Sequence, residues 1–405
     1  MPAGFDIVCF ANDWSADPTS KHQLMRRLAA SNRVLWVEGA GMRKPDLRRG
    51  RDWRRLLRKA RGFLAPARSA LPGLSVYAPP AVPLPGSRIA RAINARLYRL
   101  TVRRELRRLG LSPAPVIWTY LPHIAPLIRA MPRRLLVYHC VDRWSAFEDY
   151  DAPLMERLEA ELCRDADLVF ASAEDLAASC RQYNSHVHYI PHGVDYAHFV
   201  GALDRRPLPD DLPDIPEPRV GFFGLIHEWV DLDLIRQLAE RLPYSFVLIG
   251  DAKRNLGPLR DLPNVFHLGR KPYAMLPDYC RGFQAAMVPF RHTALTRSVN
   301  PIKLREYAAA GLPVVSTDLP EVRRCDDIAT CATSIDSWVG ALRAAVARGA
   351  DEGERRKQSE RVRAQDWLAV SQRMADLVAE AAQRSRRESV AAATLLRNDG
   401  SSGTF

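Results

Sequence analysis

No CxxC pair occurs among the seven cysteines, which stand apart at positions 9, 140, 163, 180, 280, 325 and 331. That scatter excludes a zinc ribbon or a dithiol redox motif and favours a reducing compartment. No apolar run is long enough to cross a bilayer. The opening MPAGFDIVCF lacks a basic stretch ahead of a long apolar core, so no signal peptide is expected. Clusters of His, Asp and Glu at metal-ligand spacing are missing, and no groove-reading motif accompanies the basic residues. Neither a catalytic metal nor a nucleic-acid partner is therefore expected. What remains is an ordinary globular composition, 47% hydrophobic and 26% charged, in a chain of 405 residues that is too long for one core. A cytoplasmic protein of two domains is the expectation.

Positive charge is abundant but confined. Residues 43–108 hold 19 Lys or Arg against Asp46, Asp52 and Glu105, a net of +16 in a chain whose total is +13. Two candidate helices carry it. Residues 51–64 mix arginines with Trp53, Leu56, Leu57, Phe63 and Leu64, a pattern that suits an anionic membrane surface. Each basic side chain near the headgroups can add about 1 kcal/mol. Within 88–108, Ile89, Ile93, Leu97 and Leu100 share a stripe expected to pack on the core while the arginines are solvated. Region 42–108 is accordingly expected to face a membrane, with the protein peripheral on its inner side.

Short apolar runs alternate with helical stretches. Strands are expected at 6–10, 33–37, 74–77, 116–120, 135–139, 167–171 and 187–190, then at 219–224, 245–250, 264–268, 285–289, 313–317 and 328–332. Such alternation predicts parallel, doubly wound α/β sheets. Residues 206–218, RPLPDDLPDIPEP, read as a proline-rich linker between an N-terminal domain, 1–205, and a C-terminal domain, 219–364. Two such sheets would leave a cleft at their strand carboxyl ends, where ligands bind. The polar tail 384–405 is expected to be disordered.

One stretch is more specific than the rest. Asn300 suits an N-cap, Pro301 the first helical position and Gly311 a left-handed end, so 301–310 predicts a helix running into strand 313–317. Lys303 and Glu306, three apart, share a face within a turn of the helix start. A diphosphate would be favoured there by the helix end and the ammonium, and a ribose by the carboxylate. A surface helix with both side chains solvated would look the same.

This segment resembles the donor-binding signature of GT-B glycosyltransferases of the group 1, or family 4, kind. Pro191-His192-Gly193-Val194-Asp195 with Phe199, Gly221-Phe222-Phe223-Gly224, Val247-Leu248-Ile249-Gly250, 264–269 and Leu319-Pro320-Glu321-Val322 resemble the same family in the same order. Residues 138–147 resemble its surface-polysaccharide branch. The resemblance implies a GT-B architecture, two Rossmann-like domains facing across a cleft, with helix 365–383 crossing back to the first. It implies a nucleoside diphosphate sugar as donor, UDP- or GDP-linked, and a glycan or lipid-linked acceptor. No further cofactor is implied, and transfer would retain the anomeric configuration.

Residue by residue, it implies that Lys303 holds the diphosphate and Glu306 the ribose. Gly224, His227, Gly250, Arg270, Ser298, Asn300 and Pro301 would line the donor site. Ser298 stands where the family often has a glutamate, and the loop 225–229 lacks its basic pair, for which Arg291 or Arg297 would substitute. Asn264–Tyr273, with Arg270, would receive the base or be a plain turn. On the acceptor side, His123 would act near the reacting carbon, displaced from the position where Tyr120 now stands, or be a helix-cap histidine with no role. Asp142, with His139, would contact acceptor or sugar, or serve as a turn aspartate. Asp13 and Trp14 follow the first strand, where an acid and an aromatic suit a sugar, although Trp14 also suits a core. Asp231 and Asp233 are read as helix-start residues in preference to metal ligands. The alternatives are a sugar-nucleotide 2-epimerase of the same fold and a GT-B scaffold without turnover.

Overall fold

Runs rich in Val, Ile and Phe, buried on both faces, build two parallel sheets in a computed structural model that describes residues 4–39, 65–80 and 88–399. The basic segment 42–64 lies outside the described residues, as do residues 400–405.

The first sheet comprises β1 Asp6–Ala11, β2 Arg33–Glu38, β3 Arg68–Leu71, β4 Leu74–Tyr77, β5 Val116–Thr119, β6 Leu135–Cys140, β7 Leu168–Ala171 and β8 Val187–Tyr189, in the order β3-β4-β2-β1-β5-β6-β7-β8. All neighbours are parallel except β3, which pairs antiparallel with β4 across a turn at Gly73 (φ 76°). Strand β3 was not expected, because its four residues, RSAL, are largely exposed and carry no apolar alternation. The second sheet, β9 Arg219–Phe223, β10 Ser245–Ile249, β11 Val265–His267, β12 Ala285–Val288, β13 Val314–Thr317 and β14 Ala329–Ala332, is ordered β11-β10-β9-β12-β13-β14 and wholly parallel.

Helix α1, Ser20–Leu28, leads away from the end of β1, and α2 spans Arg88–Arg108. Here the expected packing is overturned. Ile89 is 73% exposed and Leu100 56%, with Ile93 also exposed. The side that enters the core is Tyr98, Val102 and Leu106, three residues at i, i+4 and i+8 that include the helix's one aromatic ring. Buried Glu105 fixes this rotation, accepting from the Ala67 N–H at 3.0 Å and from Arg108 at 2.8 Å.

Helix α3, Glu174–Arg181, follows β7; α4, Ile302–Ala309, precedes β13; α5, Trp367–Asp399, returns to the first lobe, where Met374, Val378 and Ala382 join its core. The helix runs on through residues expected to be disordered, since 384–399 are rich in Ala, Arg and Leu, which are strong helix formers. The linker also differs from expectation. Val194, Phe199 and Ala202 already belong to the second core, and so do Leu212 and Ile215 within 206–218. At the crossover the Val194 N–H donates to the Gln365 carbonyl at 3.0 Å, and the Trp367 N–H to the Val194 carbonyl at 2.9 Å.

Candidate functional site

The carboxyl end of the second sheet is shaped by two glycines. Gly224 ends β9 at φ 145° and Gly250 ends β10 at φ 141°, a region that favours glycine. A Cβ on Gly250 would come 1.9 Å from the Gly224 carbonyl oxygen, and one on Gly224 would come 2.4 Å from Lys303 Cε. The lysine chain therefore lies across the strand end, its ammonium 5.1 Å from the Phe223 ring centroid and 3.8 Å from Glu306 Oε2. Helix α4 is tied to β9 by the Phe223 N–H, which donates to the Tyr307 hydroxyl at 2.7 Å. Glu306 is only 5% exposed, and its Oε2 has no hydrogen-bond partner. Burial raises its pKa, and the charges of Lys303 and His198 oppose the rise. An anion-favouring ammonium and a desolvated acceptor oxygen thus share one helix face.

The cap of α4 is not as expected. Pro301 is the N-cap, and Asn300 stands outside the helix, donating to Glu321 at 2.8 Å and accepting from Arg305 at 2.9 Å. The buried Arg305 guanidinium pulls the Asn300 side chain away from a capping geometry. His227 stacks on Trp229, with ring centroids 4.5 Å apart. Arg291 and Arg297 are exposed beside the loop that enters α4. Asp231 caps a helix through the Leu234 N–H at 3.0 Å.

In the first lobe the ends of β1, β5 and β6, neighbours in the sheet, converge. Tyr120 is fully buried with an unpartnered hydroxyl, and His123, in the turn after β5, has neither ring nitrogen paired. Burial, aided by the charge of Lys21, lowers the His123 pKa to about 4. Asp142 follows β6, its pKa raised by burial and lowered by Lys21. Trp14 packs on Trp36 and His22, with centroids 4.9 and 5.2 Å away, which is the core alternative. Asp13 accepts from the Ser15 N–H at 2.9 Å and from its hydroxyl at 2.7 Å, shaping the turn.

Polar links join the lobes on both sides of the cleft. Arg143, next to Asp142, donates to Ser298 at 2.8 Å and to Asp175 at 2.6 Å, while Ser298 itself donates to Asp175. Glu321, 2% exposed, accepts from the Glu174 N–H at 2.8 Å and the Tyr189 hydroxyl at 2.7 Å. Opposite them, Arg270 pairs with Asp17 (Nε–Oδ2 3.0 Å), Gln23 donates to the Tyr273 hydroxyl at 3.0 Å, and Arg27 meets Asp195 at 3.1 Å. Arg143, Asp175, Gln23 and Lys21 were not legible as site residues, because only the folding of separate strands brings them to the cleft. Glu321 lay within a quoted motif without a role.

Two parallel-sheet lobes meeting at their strand carboxyl ends define the GT-B fold. Solved structures agree: sucrose-phosphate synthase from Thermosynechococcus elongatus has a TM-score of 0.69 at 16% identity, covering 93% of this chain and 98% of that one. Anabaena HepE in complex with UDP and glucose gives 0.63 at 15%, covering 93% and 99%. The E. coli trehalose-6-phosphate structure bound with UDP-2-fluoro glucose gives 0.64 at 13%, covering 92% and 98%. Within that fold, residues 217–348 match the family described as Glycosyl transferases group 1, a stretch that lies in the second lobe. A Bacillus subtilis (strain 168) protein provisionally named teichuronic acid biosynthesis glycosyltransferase TuaH is 24% identical over 254 residues. That similarity covers 57% of this chain and 64% of the relative, less than two thirds of its length.

Proposed function

We propose that the protein transfers a hexose from a nucleoside diphosphate sugar to a glycan or lipid-linked glycan of a surface polysaccharide, retaining the anomeric configuration. The observation that carries this reading is the Lys303–Glu306 pair laid over Gly224, with a buried carboxylate oxygen that accepts no hydrogen bond at the ligand edge of the second sheet. Ser298 and Asn300 lead into that helix, and Pro301 starts it. Gly224 and Gly250 let backbone and ligand approach, while His227 and Arg270 flank the same strand ends. UDP is the favoured nucleotide, since UDP or a UDP sugar occupies the HepE structure and the trehalose-6-phosphate structure named above.

In the proposed reaction the bond from the anomeric carbon to the diphosphate breaks, and an acceptor hydroxyl bonds to that carbon and loses its proton. Lys303 and the positive end of α4 stabilise the charge gathering on the departing diphosphate. His123, Asp142 and Tyr120 lie on the acceptor side, and the cross-lobe links close the cleft against water. The test is nucleotide binding by Lys303→Ala and Glu306→Ala, each expected to weaken UDP binding roughly tenfold or more with the fold intact. Wild-type affinity in both variants removes the donor site, and conversion of the nucleotide sugar without acceptor replaces transfer by epimerisation.

A peripheral seat on an anionic membrane forms part of this reading. Arg96, Arg99 and Arg103 line a groove of about 220 Å³ beside Leu100, on the same helix as exposed Ile89 and Ile93. Among the described residues this helix is the basic, apolar surface that suits headgroups.

A further inference from the structure

Lys21 lies in the first turn of α1 and is 7% exposed. Its ammonium stands 5.5 Å from the Tyr120 ring centroid and 5.4 Å from that of Trp144. Among the described residues no hydrogen bond or ion pair reaches it. Asp142 is near enough for its charge to be felt, yet the two form no ion pair. A lysine this deep with no carboxylate paired to it is costly unless something supplies the counter-charge.

The surroundings repeat the pattern. Both ring nitrogens of His123, the Tyr120 hydroxyl, Trp144 Nε1 and His139 Nδ1 are buried without hydrogen-bond partners. His123 packs edge-on to Trp144 and His139 lies against Tyr120, at 6.3 and 4.9 Å between centroids, so these groups form one cluster with Lys21. The cluster is rich in donors: three N–H on the ammonium, one on the indole, the tyrosine O–H and the neutral imidazoles. Asp142 supplies the carboxylate acceptor at its half-buried edge. A ligand completing this set brings acceptor oxygens and little to donate, the description of a carboxylate or a phosphate. The cluster also abuts the donor half of the cleft, because Arg143, between Asp142 and Trp144, bonds Ser298.

We propose that Lys21, with Trp144, Tyr120 and His123, binds an anionic group carried by the sugar that enters the first lobe, a uronic carboxylate or a sugar phosphate. The substrate class is thereby an acidic sugar. This rests on the transferase reading, whose donor site lies in the other lobe and is read separately.

The experiment is calorimetric titration of the full chain, first with UDP and then, with UDP bound, with glucuronate, glucose 6-phosphate or glucose. Wild type is expected to bind one anionic sugar at least tenfold tighter than glucose, and whichever anion wins identifies the source. Lys21→Met is expected to bind UDP normally and to lose that preference. Lys21→Gln, shorter and neutral, does the same where the Met variant fails to fold. A wild type that binds UDP but treats the three sugars alike overturns the Lys21 assignment alone, as does a folded variant that keeps the preference. Failure of wild type to bind UDP overturns the donor site instead.

Discussion

Lys303 crosses Gly224 so closely that a methyl group on the glycine would come 2.4 Å from the lysine Cε. The end of a lysine chain can move, so the contact alone need not unfold the protein. A Gly224→Ala variant carries two separable effects. The backbone at φ 145° costs about 1–3 kcal/mol with a side chain present. The displaced ammonium loses its place beside Glu306, and UDP binding is expected to fall roughly tenfold or more. Thermal unfolding reads the first effect and calorimetry the second; unchanged affinity shows that the lysine's path over the glycine is immaterial.

Glu306 makes the empty site pH-sensitive. Burial raises its folded pKa above the ordinary carboxylate value of 4.5. The folded state then holds its proton more tightly than the unfolded state, so stability is complete below 4.5 and declines as pH rises through the folded pKa. Glu306→Gln removes that decline. The ligand-free variant is expected to match wild type near pH 4 and to exceed it at pH 7, while binding UDP more weakly. Denaturant midpoints at the two pH values decide it, and a variant less stable at pH 7 contradicts the burial argument.

Glu321 fastens the lobes from beneath. It is 2% exposed, and the Glu174 N–H, the Tyr189 hydroxyl and the Asn300 amide all donate to it. Two of those donors come from the first lobe and one from the second. Truncation to Ala strands three donors, of which the Asn300 amide is fully buried, at a cost of about 1–3 kcal/mol for each that water does not reach. Glu321→Ala is expected to lower the melting temperature by several degrees and to enlarge the radius of gyration in solution scattering. An unchanged radius means that the links on the Asp17–Arg270 side hold the lobes without it.

Nearly all of the sheet framework was legible in the sequence, and its limits are physical. Thirteen of the fourteen strands among the described residues were expected within a residue of their observed ends, since a parallel strand buried on both faces is an uninterrupted apolar run. Strand β3 escaped because it is an exposed edge. The stripe of α2 misled for a related reason: periodicity shows that a helix is amphipathic, not which side is covered, and Ile89 and Leu100 are exposed. Lys303 and Glu306 were readable because three residues of one helix set their relation. Lys21, Trp144 and His123 come from three strand ends, and only the sheet order β1-β5-β6 brings them together.

Buried histidines set the acid limit of the fold. Burial holds the pKa of His22 and His123 at about 4 and that of His192 at about 3, all below the ordinary 6.5. In the window between those values and 6.5 the unfolded chain binds more protons, so stability rises with pH and is lost on acidification. Each contributes about 1–2 kcal/mol between pH 7 and 5. His123→Gln is expected to flatten the drop by that amount, measured as the difference in unfolding free energy between the two pH values. An equal drop in variant and wild type assigns the acid sensitivity elsewhere.

The exposed face of α2 gives the membrane reading its sharpest test. Arg96, Arg99 and Arg103 line one groove, and exposed Leu100 lies among them. Three charges near an anionic surface contribute about 3 kcal/mol together, enough for a hundredfold change in partitioning. The triple change of these arginines to Gln leaves the buried Tyr98, Val102 and Leu106 untouched, so the fold is expected to persist. Sedimentation with phosphatidylglycerol vesicles is expected to fall about a hundredfold in the triple variant, and wild-type binding to weaken as salt screens the charges. Should the variant sediment like wild type, α2 is no part of the contact and the membrane reading of this helix fails.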